Sequence, residues 1–265
     1  MTTEQEIEII QKKKNGVKIR QIMSEYSIKS VKTIYDIVKR NGIKRIGNKK
    51  YQVDDDYFSN IDTEEKAYWL GFLYADGYVR LKYNRSGQLK LKLSSKDRSH
   101  IELFNKCLSS NYPIKDSISI IKYKGSESKS NVSEVSIYNT KIVNDLIYNG
   151  CISNKTFLIR IPSIDISIIR HFIRGYFDGD GCISISKKGH PSIKIISNID
   201  FIGDIRDYLI SVGISCINIR DNGRVKNLMI ENKVDCIRFK ELIYTDSRIF
   251  LKRKFEIFDK LSNNS

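Results

Sequence analysis

An α+β fold made of two copies of one unit, preceded by a small all-helical module, is what this 265-residue chain predicts. Three observations predict it. The stretch Ala67-Tyr-Trp-Leu-Gly-Phe-Leu-Tyr-Ala-Asp-Gly-Tyr-Val79 returns as Arg170-His-Phe-Ile-Arg-Gly-Tyr-Phe-Asp-Gly-Asp-Gly-Cys-Ile183, with the acids Asp76 and Asp180 standing 104 positions apart. After each copy the apolar period changes from that of a helix to the two-residue period of a strand. The first fifty residues, in contrast, hold three short helical patterns and no strand pattern.

Residues 4–14 read as a helix stopped at Asn15-Gly16, and 17–25 as a second, with Tyr26-Ser27-Ile28 making the turn. Ser30 caps a third helix, 31–40, whose apolar face is Val31, Ile34, Ile37 and Val38. Lys29, Lys32, Thr33, Lys39 and Arg40 are left for solvent or a groove. This is the pattern of a helix-turn-helix, whose last helix enters the major groove. Residues 1–50 carry 13 Lys plus Arg against 5 Asp plus Glu. More than half of the chain's net charge of +15 therefore sits in this first fifth. A helix-turn-helix DNA-binding domain is expected at 1–46, a basic then acidic linker at 47–62, and the two repeats at 63–160 and 161–265.

In the first repeat, Val79, Leu81 and Tyr83 alternate with Arg80, Lys82 and Asn84. After a turn at Arg85-Ser86-Gly87, Leu89, Leu91 and Leu93 alternate with Gln88, Lys90 and Lys92. One sheet face is apolar and the other basic. A helix at 96–108, strands at 118–124 and 132–138 and a helix at 141–148 complete the unit. The second repeat follows suit: a helix at 165–178, strands at 182–186 and 192–196, a helix at 200–211, a hairpin around Asp221-Asn222-Gly223, and a helix at 234–244. Each repeat reads α-β-β-α-β-β-α, an internal duplication with pseudo-twofold symmetry.

Within each motif helix, small residues recur four apart, Gly71 and Ala75 in one and Gly175 and Gly179 in the other. That spacing lets a second backbone approach closely. Gly77 and Gly181 are expected to stop the helices as C′ residues. Two such helices packed together bring two carboxylates to one end. Arg174 is expected to face outward, because a buried unpaired guanidinium is costly.

Surplus Lys and Arg favour a polyanionic partner through counterion release. Five scattered cysteines without a C-x-x-C pair and only three histidines argue against zinc modules and disulfide frameworks. No apolar run approaches the roughly 18 residues of a membrane span, and the acidic N-terminus lacks a signal pattern. A cytoplasmic protein without a membrane partner, acting as a monomer, is expected. The chain neither begins with a Cys or Ser splice nucleophile nor ends in His-Asn, so a free-standing or intron-encoded protein is expected rather than an intein.

Gly71-Phe-Leu-Tyr-Ala-Asp-Gly77 and Gly175-Tyr-Phe-Asp-Gly-Asp-Gly181 resemble the paired motifs of the single-chain, two-repeat LAGLIDADG homing endonucleases, and the resemblance covers roughly residues 50–260. It implies saddle-shaped antiparallel sheets lying in the major groove on either side of the cut. It also implies that Asp76 and Asp180 bind Mg²⁺ or Mn²⁺, assisted by the carbonyls of Ala75 and Gly179, with one strand of double-stranded DNA cut at each acid. The roles of water-ordering residue and phosphate-polarising lysine would fall to Ser95 and Asn198 and to Lys141 and Lys233, with Lys155 and Lys254 as further candidates. The expected DNA contacts on the sheets are Arg80, Lys82, Gln88, Lys90, Lys92, Ser184, Ser186, Ser192, Lys194, Asn218, Arg220 and Arg224. Tyr74 departs from the pattern, standing where the second copy has the acid Asp178. Two alternatives stay open on the same scaffold: a maturase binding intron RNA, and a DNA-binding regulator that no longer cuts.

Overall fold

The computed structural model describes residues 2–15, 17–41, 50–81, 86–123, 126–152 and 158–262. The chain forms two compact units, Met1–Tyr51 and Gln52–Ser265. In the first, helices α1 (Thr3–Lys14), α2 (Ile19–Glu25) and α3 (Val31–Arg40) enclose Ile9, Ile10, Ile22, Ile34, Ile37 and Val38. Thr2 and Gln5 form a reciprocal capping box on α1, and Ser30 caps α3. Ser27, at φ 50°, takes the left-handed conformation in the turn between α2 and α3. Val31 is 41% exposed and so stands outside the core face predicted for it, at the first position of its helix.

The second unit contains two four-stranded antiparallel sheets of identical topology. The first has the order β1 (Gly77–Arg80), β2 (Gln88–Ser94), β4 (Ser126–Tyr138), β3 (Ile114–Tyr123). The second repeats it with β5 (Cys182–Ile185), β6 (Pro191–Ser197), β8 (Val225–Ile230) and β7 (Ile217–Asn222). Motif helices α4 (Glu64–Asp76) and α7 (Ile166–Asp180) lead directly into β1 and β5. The remaining helices are α5 (Arg98–Cys107), α6 (Thr140–Tyr148), α8 (Ile199–Ser211), α9 (Lys233–Tyr244) and α10 (Lys252–Ser262). The two-repeat α+β reading therefore holds. One apolar core runs through both repeats, from Phe58 to Phe258.

Alternation decides which side of each sheet packs inward. Leu89, Leu91 and Leu93 of β2 and Ile193 and Ile195 of β6 enter the core, leaving Lys90, Lys92 and Lys194 on the other face. β1 ends at Arg80, and Leu81 beyond it is 52% exposed, not part of the apolar face predicted for it. Lys82, Tyr83 and Asn84, predicted on the same strand, lie outside the described residues.

α10 was not foreseen. Its signal is the spacing of Leu251, Phe255 and Phe258, which turns an apolar stripe onto Tyr244 of α9 and Phe177 of α7.

Candidate nucleic-acid cleavage site

Every residue of α4 from Ala67 to Tyr74 is buried, the mark of a helix with no solvent face. One partner is α7, buried from His171 to Asp178. A Cβ on Gly71 would lie 2.0 Å from Phe172 O, and one on Gly175 would lie 1.9 Å from Tyr68 O. The helices thus cross main chain on main chain. Further along, a Cβ on Gly179 would lie 2.2 Å from Ala75 Cβ and 3.4 Å from Asp76 Oδ2. Gly71 lies against Phe172 and Tyr176, Gly175 against Tyr68 and Phe72, and beyond this crossing Gly179 meets Ala75, so the helices run in the same sense. Their C-terminal ends come together, and at those ends Asp76 and Asp180 are exposed.

Both helices end without the left-handed residue expected at Gly77 and Gly181. Gly77 has φ −73° and ψ 145°, and Gly181 φ −69° and ψ 158°, so each chain passes straight into extended backbone. Glycine is needed there for space: a Cβ would lie 2.6 Å from Leu73 O at Gly77 and 2.1 Å from Phe177 Cδ2 at Gly181. Each aspartate is thereby held at a junction of helix and strand, where the negative end of the helix dipole favours a cation.

Lys254 of α10 lies under this end. Its ammonium donates to Phe177 O (2.6 Å), Gly179 O (3.2 Å) and Gly181 O (2.5 Å). Burial pulls its pKa down to about 8, against the attraction of Asp178, Asp76 and Asp180. Of the described lysines named from the sequence, this is the one that donates to the carbonyls at the end of α7.

Lys141 is instead held at the start of α6, paired with Asp56 (2.9 Å) and Asp145 (2.8 Å) and donating to Ser59. Lys233 opens α9 and is exposed. Lys155 lies outside the described residues.

Ser95 follows the end of β2, half-buried, with its hydroxyl 3.3 Å from that of Ser133. Asn198 does not have the open position expected of a water-ordering residue. It is buried as the cap of α8, accepting from Phe201 N (2.8 Å) and donating to Ile159 O (3.0 Å). The residue that lies in the cleft beside Asp180 is its neighbour Ser197, with Ala75, Tyr176, Ile196 and Val225.

Arg174 overturns the expectation that it faces outward: it is fully buried. Its guanidinium donates to Ile249 O (2.9 Å), Ile243 O (2.8 Å), His171 Nδ1 (2.6 Å) and Glu64 Oε1 (2.7 Å). Glu64 also accepts from Arg248 N at 2.7 Å. Four of its five rigid N–H donors meet acceptors, which offsets the cost that made burial look forbidding. The clamp joins the start of α4 in one repeat to α7 and to the chain leading into α10 in the other.

Asp178, also fully buried, accepts from Tyr68 Oη (2.9 Å), Tyr244 Oη (2.6 Å) and Leu251 N (2.7 Å). Burial holds its carboxyl above the usual range, and these hydrogen bonds oppose that rise. Since Tyr68 gives its one proton to Asp178, it accepts from His100 Nε2 at 2.9 Å, which fixes the His100 tautomer. Where the first repeat has Tyr74 in place of an acid, the phenol donates to Asn149 O at 2.6 Å.

His100 and His171 are both pushed down to about 4, chiefly by burial, from an ordinary 6.5. The unfolded chain therefore binds more protons below pH 6.5, so their contribution is intact above that pH and is lost as pH falls toward 4. Each should remove up to about 1.4 kcal/mol of stability per pH unit in that window, with Asp178 acting in the opposite direction. Urea unfolding at pH 7 and pH 5 is expected to show a smaller difference for His100→Gln than for the wild-type chain. Equal differences would reject this account of His100.

On the sheets, Arg80, Gln88, Lys90, Lys92, Ser184, Ser192 and Lys194 occupy open-face positions of β1, β2, β5 and β6, as expected. Asn218 and Arg220 extend that face on β7, and Arg224 is exposed in the turn before β8. Ser186 instead supports the β5–β6 turn, its hydroxyl accepting from His190 N at 3.0 Å. In the N-terminal unit, Lys29, Lys32, Lys39 and Arg40 are exposed, Thr33 is half-buried, and Arg40 is paired with Glu6 at 2.9 Å.

The LAGLIDADG-like domain family matches residues 63–151 and 167–244, and the chain belongs to that family. Comparison with curated proteins finds no match. Among solved structures, the fold is similar to "the homing endonuclease I-WcaI bound to its DNA recognition sequence", at 15% identity and TM-score 0.52 over 82% of this chain and 96% of that one. It is also similar to LAGLIDADG meganuclease I-AabMI bound to uncleaved DNA, at 11% identity and TM-score 0.50 over 77% and 90%. Full-length DUF199/WhiA from Thermatoga maritima aligns at 19% identity and TM-score 0.49 over 79% of this chain, which spans 64% of the WhiA chain. Among the described residues no helix is long and apolar enough to cross a membrane.

Proposed function

We propose that the chain is a site-specific DNA endonuclease that hydrolyses one phosphodiester in each strand, acting as a monomer. The observation that carries this reading is the exposed pair Asp76 and Asp180 at the joined ends of α4 and α7.

The donors there are oxygens, from two carboxylates and the carbonyls of Ala75 and Gly179. Among the described residues no cluster of three or more His, Cys, Asp or Glu competes for a metal. Such a set suits Mg²⁺ or Mn²⁺, which keep waters and take phosphate oxygens as further ligands. Gly179 O already accepts from Lys254, and its second lone pair is left for an ion. When bound, a divalent ion supplies an activated water and neutralises charge on the departing oxygen. Asp76 and Asp180 would hold the ion. Lys254 would fix the carbonyls beneath Asp180 and place a positive charge near the scissile phosphates. The open sheet faces would hold the duplex on either side.

A direct test is incubation with Mg²⁺ and a plasmid carrying the uninterrupted version of the encoding locus. A linear product that disappears on chelation is expected. A sequence-specific gel shift with no cutting would move the chain to the regulator reading.

The N-terminal unit, read as a helix-turn-helix presenting Lys32, Lys39 and Arg40 of α3, would extend the footprint. Deletion of residues 1–46 is expected to weaken binding and to lower the slope of log K against log salt by about 0.9 for each phosphate contact removed, with cleavage retained. An unchanged slope and footprint would reject this role.

A further inference from the structure

The first turn of α10 is tied to both repeats at once. Leu251 N, just before the helix, donates to Asp178 of α7 at 2.7 Å. Arg253 Nε reaches into the first repeat and donates to Asp97 Oδ2 at 2.9 Å. Lys254, the next residue, sets its ammonium on the carbonyls of Phe177, Gly179 and Gly181, 5.2 Å from the centre of the Phe177 ring. Adjacent side chains of a helix point roughly 100° apart. With Arg253 held toward Asp97, the same turn carries Lys254 toward the end of α7.

Asp97 is a firm anchor for this bond. It ends the short turn Ser95–Asp97 that follows β2, and its side chain is 10% exposed against 54% for Arg253. It stands at the N-cap of α5, where aspartate ordinarily accepts from the backbone of the helix it opens. Its side chain makes no such capping bond, and its carboxylate turns to Arg253 instead. A pair with one half-exposed partner adds little to stability by itself. What it does add is a fixed bridge from one repeat to the residue beside Lys254 in the other.

Resting on the endonuclease reading, we propose that Arg253 is a positioning residue for strand cutting. Its ion pair with Asp97 fixes the first turn of α10 and so holds the Lys254 ammonium under the carbonyls beside Asp180.

The test compares the full chain as wild type, Arg253→Gln, Arg253→Lys, Asp97→Asn and the double variant Asp97→Asn with Arg253→Gln. Without metal, acetylation by an amine-reactive ester, read by mass spectrometry, reports how open each lysine is. Lys254 is 5% exposed in the native chain. Its labelling should speed up about 10-fold in Arg253→Gln as its cover opens locally, and Arg253→Lys should restore part of the protection. The exposed Lys252 of the same turn should label equally in all five chains. On a cleavable duplex, the strand whose cutting Asp180→Asn abolishes should be cut about 10-fold more slowly by Arg253→Gln and by Asp97→Asn, with KM and metal-free DNA affinity unchanged. The double variant should be no slower than either single one, because both remove the same bond.

Unchanged labelling of Lys254 in Arg253→Gln would overturn the positioning role whether or not the chain cuts DNA. Equal slowing of both strands, in step with a lower melting temperature, would make the pair a structural brace and overturn it as well. A wild-type chain that cuts no DNA would overturn the endonuclease reading and the cutting role together. Faster labelling of Lys254 in that case would still uphold the hold of Arg253 on Lys254.

Discussion

Asp76→Asn and Asp180→Asn are each expected to abolish double-strand cleavage while changing DNA affinity by no more than a few-fold. The substitution keeps the size of the side chain and removes the charge that would hold a divalent ion. Both positions are exposed at helix ends, so neither change empties any part of the core. Loss of one carboxylate site of a catalytic metal is a transition-state loss, and rates should fall by several orders of magnitude. Supercoiled plasmid carrying the target separates the outcomes: intact circle for the double variant, and no linear product for either single one. Linear product from the double variant at the wild-type rate would end the assignment of these acids to a metal.

Arg174→Ala is expected to lower stability by about 3–5 kcal/mol, the range for breaking a buried charged network by removing one partner. The change strands Ile249 O and Ile243 O and frees Glu64 from its guanidinium, so the segment leading to α10 loses its hold on α7. Arg174→Lys should recover little, because one ammonium cannot reach acceptors spread over four groups. Urea titration reports both, and a loss below about 1 kcal/mol for the alanine variant would show that the clamp is not structural.

Arg174 also marks where the sequence stopped being readable. Small residues four apart, a change of period after each motif and one acid per copy are local signals, and from them the helix pair, the strand faces and the position of Asp76 and Asp180 could be read. The partners of Arg174 come from residues 64, 171, 243 and 249, which no local pattern brings together. Asn198 looked like a free polar group at a strand end, yet Ile159, thirty-nine residues away, completes its burial. Lys254 was one of several lysines near repeat ends until α10 gave it three carbonyls. Gly77 and Gly181 were read as backbone-conformation residues, although space, not φ, requires them.

Where α4 meets α7 through glycine, the gap between the two aspartates is set by peptide geometry. Side-chain volumes elsewhere in the core do not enter that distance. Replacements around the helices can therefore accumulate without retuning the spacing of the acids, provided the two points of closest approach stay bare. The fold itself is shared with I-WcaI at 15% identity. The glycines act as a ruler: they make the rest of the sequence free to diverge.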